Sequence, residues 1–216
     1  RSQEGVDFEL LHIDSGSTDG TLDVIREFGG RLYYIRPSEY IPGRVLNFAM
    51  ELCDRELVTF LNADAVPVGR SWLLELLKPL QSSVPVAATF SRQVAREDAE
   101  ALFISDNERA FGDGREHAGW RHFFSMASSA IKRSYWEKHR FSASLRYSED
   151  IDWTYGLRLA GAQIVYAPRS VAVHSHNYSL RQNYRRHFGE GIADANIYRT
   201  GDIEASFGRQ VLLAGL

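Results

Sequence analysis

The chain has 216 residues, 44% hydrophobic and 25% charged, which suits one soluble domain with a full core. Its net charge of −3 sets up no overall field toward nucleic acid, which is excluded as a partner, and no apolar run approaches the length of a membrane span. The start carries no secretory signal pattern and the lone Cys53 has no internal disulfide partner, so a reducing, cytoplasmic compartment is expected. The chain opens at Arg1 without Met and runs quickly into a strand, so the natural N-terminus is expected to lie upstream.

Phe8 to Asp14 is a strand candidate that stops at the turn Ser15-Gly16-Ser17-Thr18-Asp19-Gly20. Leu22, Ile25 and Phe28 recur at three-residue steps beside Val24, predicting a helix that Gly29-Gly30 ends. Arg31 to Ile35 is a second strand, and Pro37 to Gly43 reads as loop. Val45 to Cys53 is helical, with Leu46, Phe48, Ala49 and Leu52 as its apolar face. Leu57 to Asn62 is an apolar run with a polar end, the pattern of a buried parallel strand. Trp72 to Lys78 is a short helix closed by Pro79, and Val86 to Phe90 another strand. Residues 1–90 thus alternate strand and helix, the signature of a parallel sheet with helical crossovers.

The second half is less regular. Arg92 to Trp120 is polar, contains Gly112-Asp113-Gly114 and reads as an excursion over an active-site face, helical over Asp98 to Ala110. Phe123 to Ile131 reads as a strand and Tyr135 to His139 as a short helix. Ser148 is the expected N-cap of a helix ending at Gly161, with Glu149, Asp150 and Asp152 in its first turn. Gln163 to Tyr166 and Ser170 to Val173 are short strands, and Ser179 starts a basic helix with Arg181, Arg185 and Arg186.

Four groups of residues bear chemistry. Asn62 and Asp64 follow the third strand; at i and i+2 on a strand end they point the same way and can share one hard cation, or they begin a turn before Pro67. Asp14 ends the first strand, at the edge where open parallel sheets bind ligands. The Ser/Gly turn after it offers backbone N–H groups to an anion, or to a base and ribose. Glu149, Asp150 and Asp152 are three acids in four residues; they serve either as a helix start or as the source of a general base. His174 and His176 alternate after an apolar run, so one or both reach a metal or remain ordinary surface or core residues.

Taken together, Ile13-Asp14-Ser15-Gly16-Ser17-Thr18-Asp19-Gly20-Thr21, Asn62-Ala63-Asp64, Ser148-Glu149-Asp150-Ile151-Asp152-Trp153 and the late histidines resemble the family 2 glycosyltransferases of the GT-A fold. Ser91-Arg92-Gln93 and His174-Ser175-His176-Asn177-Tyr178-Ser179 look like that family's rhamnosyltransferase branch. The resemblance implies a mixed, mostly parallel α/β sheet flanked by helices, in one domain. Within it, residues 1–90 would be the nucleotide-binding half, 91–178 the acceptor and catalytic half, and 179–216 a helical tail.

The resemblance implies an inverting transfer of a sugar from a UDP- or dTDP-linked donor to an acceptor hydroxyl in polysaccharide, cell-wall or glycolipid synthesis. Asp14, Ser15, Ser17, Asp19 and Asn62 would bind the nucleotide, Asp64 and His174 a divalent Mn or Mg, and Asp150 would be the base. Glu149, Asp152, Trp153, Arg92 and His176 would serve the acceptor or support these groups, alongside the aromatics Trp120, Phe123 and Phe124. The acceptor would be a saccharide or a lipid-linked one, which leaves peripheral membrane association open. Asn62 stands where the family has the first Asp of Asp-x-Asp, removing one negative charge, and the family's N-terminal strand is missing. Both departures favour a rival reading, a catalytically impaired nucleotide-sugar-binding protein. A nucleotidyltransferase is less favoured, because it would want a basic residue in the Ser15 to Gly20 turn.

Overall fold

The structure, a computed structural model, describes residues 3–113 and 122–198. Gly114, Trp120 and residues 199–216 of the tail lie outside the described residues. The short apolar runs of the sequence become strands arranged in two sheets. β1 (Leu11–Asp14), α1 (Thr21–Phe28) and β2 (Arg31–Tyr34) form a parallel unit, with Leu11 opposite Arg31 and Asp14 opposite Tyr34. The sheet of five strands has the order β3-β6-β5-β7-β4. Its members are β3 (Leu57–Leu61), β4 (Val66–Pro67), β5 (Val86–Val94), β6 (Ser128–Lys132) and β7 (Gln163–Val173). β6 is antiparallel to both β3 and β5, and β5 is parallel to β7. β3, β5 and β7 therefore share one direction, and β6 and β4 run against them. Among the described residues no ladder joins β1 to β3, so each presents an edge to the space between the two sheets.

Helices cover both faces of the larger sheet, because its strands are apolar on both sides. α2 (Pro42–Leu52), α5 (Arg133–Lys138) and α6 (Glu149–Leu159) lie on one face. There Met50, Val58, Phe90, Phe124, Ile131, Trp136, Phe141, Trp153 and Leu157 make one core. α3 (Trp72–Leu77) covers the other face, packing Trp72, Leu73, Leu76 and Leu77 on Val86, Ala130 and Ala167. The polar groups sealed beneath it are paired: Trp72 Nε1 donates to Ser91 and Ser128, and Ser170 donates to the Trp72 carbonyl.

Several boundaries differ from the sequence expectation. α2 starts at Pro42, since a proline at the first helical position loses no hydrogen bond, so the loop ends earlier than read. The two strands expected over 163–173 are one. β5 and β7 shift register between Ser91/Arg92, where Ala167 and Val171 bracket a bulge, and that bulge looked like a break. Of the expected 123–131 strand only the residues from Ser128 onward pair, in a strand that runs on to Lys132; Phe123 to Ala127 approach it as loop. α4 (Ala101–Phe111) matches the expected helix of the excursion, and α7 (Leu180–Ile197) the basic helix. Ser179 caps α7 in a capping box, exchanging hydrogen bonds with Gln182.

Candidate active site

β3 ends at Leu61, and the chain then turns, the Ala65 N–H donating to the Asn62 carbonyl at 3.0 Å. Asn62 and Asp64 therefore sit on a turn, where strand alternation does not apply, and the turn aims Asp64 across the sheet at the end of β7. His174 continues beside β5 through its N–H to the Val94 carbonyl, 2.9 Å. Its Nε2 lies 3.5 Å from Asp64 Oδ1, and His176 Nδ1 lies 3.4 Å from Asp64 Oδ2. One ligand atom from each of Asp64, His174 and His176 falls within 4.8 Å of the others. Both histidines expected from the sequence thus belong to one cluster, and Asn62 stands outside it.

The donor set fits a divalent cation. His174 Nδ1 bonds to Gln93 Oε1 at 2.7 Å, and since that oxygen can only accept, the ring proton is on Nδ1. Nε2 then carries a lone pair, and this buried atom has no hydrogen-bond partner. Burial holds both imidazoles toward the neutral, ligating form; Asp64 opposes this shift on each. A buried acceptor without a donor is costly unless a cation satisfies it. The sequence marks Gln93 only as part of the Ser91-Arg92-Gln93 motif late in an apolar strand and gives it no role in the site. Gln93→Leu is expected to weaken Mn²⁺ affinity roughly 10–100-fold, the usual cost of losing a ligand's orienting partner. Calorimetric Mn²⁺ titration checks it, and unchanged affinity would show that Gln93 does not orient the ring.

The acids of α6 enter the same cleft. Ser148 occupies the N-cap position, but with φ 57°, in the left-handed region, and without capping through its side chain. The hydroxyl instead faces Asp194 of α7, whose pKa it lowers against the effect of burial. This corrects the expected capping role, and a serine in that region is the kind of strained residue found at functional sites. Asp150 Oδ2 accepts from the Met126 N–H (3.1 Å) and Oδ1 from the Ile151 N–H (2.8 Å). The Phe123 to Ala127 loop that failed to pair as a strand supplies the first of these donors. Burial still raises the Asp150 carboxyl above the usual aspartate range. Glu149 is pushed up to about 7 by burial, with Asp150 adding to the shift.

That shift has a stability consequence. Glu149 has an ordinary value of 4.5, so between about 4.5 and about 7 the folded state holds a proton that the unfolded state has lost. Stability is therefore expected to fall as pH rises through that window. Asp194, raised to about 6 by burial, contributes in the same direction. Urea unfolding at several pH values should show the fall, and Glu149→Gln should reduce it. A variant with the wild-type pH profile would contradict the assignment.

The remaining expected residues divide. Asp14 is buried, and its carboxylate accepts the N–H groups of Gly16 (2.8 Å) and Ser17 (3.1 Å); the Ser17 side chain is the main cause of its lowered pKa. Asp14 and Ser17 thus shape the loop, and it is Ser15 and Asp19 that line the cleft. Asp19 holds the Thr21 hydroxyl at 2.6 Å where α1 starts. Trp153 is not at the acceptor face: it is fully buried, its ring tilted at 32° to Phe141 and 4.8 Å from it, with its indole N–H on the His139 carbonyl. Asp152, raised by burial with His139 opposing, also stands off the cleft wall. Arg92 lies at the bulge beside Tyr166, away from the cleft. Phe123 and Phe124 border the cleft but pack edge-on against Phe90, so they are core as much as wall.

Known proteins give the arrangement its context. The pattern described as "Glycosyl transferase family 2" matches residues 1–141. The O-antigen chain rhamnosyltransferase WbaN of Salmonella anatum is 31% identical over 200 residues, covering 87% of this chain and 62% of that protein. RfbN of Salmonella typhimurium, also named an O-antigen chain rhamnosyltransferase, is 25% identical, covering 87% and 63%. The chain thus spans less than two thirds of either curated relative. A Pyrobaculum calidifontis mannosyltransferase, solved with GDP-Man and Mn²⁺, superposes with a TM-score of 0.63 at 22% identity, covering 89% of this chain and 58% of that one. Glucosyl-3-phosphoglycerate synthase of Mycobacterium tuberculosis, solved with Mn²⁺, UDP-glucose and glycerol 3-phosphate, superposes at 0.61 with 17% identity, covering 94% and 74%. These likenesses establish a GT-A fold for the mixed sheet and its flanking helices. With the family pattern spanning residues 1–141, the chain belongs to glycosyl transferase family 2.

Proposed function

We propose that the protein transfers a sugar, with inversion, from a UDP- or dTDP-linked donor to an acceptor hydroxyl in polysaccharide biosynthesis. The observation that carries this reading is the convergence of the Asp64, His174 and His176 cluster and the half-buried Glu149–Asp150 pair on one cleft. A divalent Mn or Mg held by those three residues would supply Lewis-acid stabilisation of the leaving diphosphate. The rest is the chain's own work. The loop that Asp14 shapes, with Ser15, Ser17 and Asp19, offers a seat for the base and ribose, and Asn62 stands at the cleft beside it.

Asp150 takes the acceptor's proton. Its two backbone donors favour the charged form, so the proton that this close acid pair retains falls on Glu149. The acceptor oxygen bonds to the anomeric carbon as the bond to the diphosphate breaks, and its electron pair leaves with the diphosphate. The acceptor is read as a saccharide or lipid-linked molecule, with residues 91–178 shaping its side. A place at the cytoplasmic face of a membrane is supported by α7, which exposes Leu180, Tyr184, Phe188 and Ile192 beside Arg181 and Arg185. Among the described residues no helix is long and apolar enough to cross a membrane.

Calorimetry with UDP- and dTDP-sugars, with and without Mn²⁺, followed by NMR of the product's anomeric configuration, tests the reading. Metal-dependent donor binding and an inverted product are expected. Binding without transfer would favour the impaired, binding-only reading, and no binding would overturn both.

A further inference from the structure

Arg186 stands between the two halves of the site. It lies on α7, which crosses the start of α6 closely: Gly189 passes against the Tyr147 ring, where a side-chain carbon would collide with it. Asp194, further along α7, is near enough for the Ser148 hydroxyl to lower its pKa. Arg186 is fixed in place by its neighbours. Its Nε donates to Glu190 at 2.7 Å, its Nη1 donates to the Tyr178 hydroxyl at 2.8 Å, and its guanidinium lies 5.5 Å from the Tyr178 ring centre. Tyr178 in turn stacks on His176 at 4.8 Å, and His176 is 3.4 Å from Asp64. A continuous run of contacts therefore joins this guanidinium to the metal cluster.

On the other side its charge reaches both Glu149 and Asp150. It also acts on His174 and His176, so one cation bears on the base pair and on the cluster together. Arg96 also reaches His176, but Asp98 occupies that guanidinium through two hydrogen bonds. Among the described residues Arg186 is engaged at Nε and Nη1 only, and its residue lines the cleft. A guanidinium held at Nε and Nη1 keeps Nη2 for a phosphate oxygen, which it meets with a charge-assisted hydrogen bond in a fixed plane.

We propose that Arg186 binds the diphosphate of the donor, opposite the Asp64, His174 and His176 cluster. This rests on the nucleoside diphosphate reading of the cleft and adds a residue from α7 to it. Bond breakage adds one negative charge to the departing diphosphate, and a fixed cation there holds it more strongly than it holds the intact donor. The rival role is a counter-ion that only keeps Glu149 and Asp150 in place.

Titrations of wild type, Arg186→Gln and Arg186→Lys with UDP, dTDP, UMP and dTMP, in the presence of Mn²⁺, separate the two. The diphosphates should lose about 10–100-fold in affinity for Arg186→Gln, the range for hydrogen bonds to a charged group. The monophosphates should be within about twofold of wild type. Arg186→Lys should fall between, because a point charge replaces the planar fork; it carries the test should the Gln variant not fold. Diphosphate affinity unchanged in both variants, or mono- and diphosphate affinity lost equally, would overturn the proposal while leaving the donor reading standing. If wild type binds neither UDP nor dTDP, the donor reading itself falls, and the proposal with it.

Discussion

Asp150→Asn is expected to lower sugar transfer by about 10²–10⁴-fold, the usual worth of a general base, with donor affinity nearly unchanged. The substitution keeps the side chain's shape and one oxygen for the Met126 or Ile151 N–H, so the local backbone is retained. It removes the atom that receives the proton. The choice among the three acids of α6 now rests on geometry. Asp152 stands off the cleft wall, and Glu149, at about 7, is largely protonated below that pH. Asp150 is half-buried, oriented by two backbone donors and open to the cleft. Initial rates against a matched acceptor, with donor affinity measured separately, decide the matter. Transfer within a few-fold of wild type, with Glu149→Gln inactive instead, would move the base to Glu149.

Asp64→Ala is expected to abolish metal-dependent donor binding, exceeding the roughly 10–100-fold that losing an orienting partner of a ligand costs. Asp64 is the only carboxylate of the cluster and faces a different histidine with each oxygen. Without it, two neutral imidazoles remain to hold a hard cation that prefers oxygen, and the Asn62 turn offers no acid to replace it. The side chain is 45% exposed, so the fold should survive its truncation. Mn²⁺ titration followed by donor titration reads both effects. Undiminished Mn²⁺-dependent binding would place the cation elsewhere.

Local sequence patterns reached the elements whose period and caps are local. Leu22, Ile25 and Phe28 marked α1, Pro79 followed α3, and Ser179 did cap α7. They could not reach pairings made by distant segments. The insertion of β6 between β3 and β5 depends on residues some seventy positions after β3, and nothing in Ser128–Lys132 itself announces its neighbours. The same limit applied at the site. Asp64, His174 and Asp150 were legible as strand-end and helix-start residues, whereas Gln93 and Arg186 matter only through contacts that the folded chain creates. Trp153 was misplaced because an aromatic beside acids suggests a sugar platform; on α6 it falls on the face toward Phe141. Arg92 was misplaced because the bulge at Ser91/Arg92 breaks the alternation that would have set its direction.

The separation of β1 and β2 from the larger sheet governs how the molecule opens. A parallel pair of strands with one helix is marginal alone. Here α1 has no buried residue, and the unit leans on α2 through the Tyr33–Phe48 ring contact at 5.9 Å. Amide hydrogens of residues 11–34 should therefore exchange through a local opening of low free energy, while β5 and β6, buried at the centre of the other sheet, exchange only on global unfolding. The Asp14 to Gly20 loop rides on the labile unit, and Asp64, His174 and Asp150 on the stable one. A ligand spanning both would join two regions that otherwise open separately, and its affinity would be lowered by the free energy of ordering the weaker one.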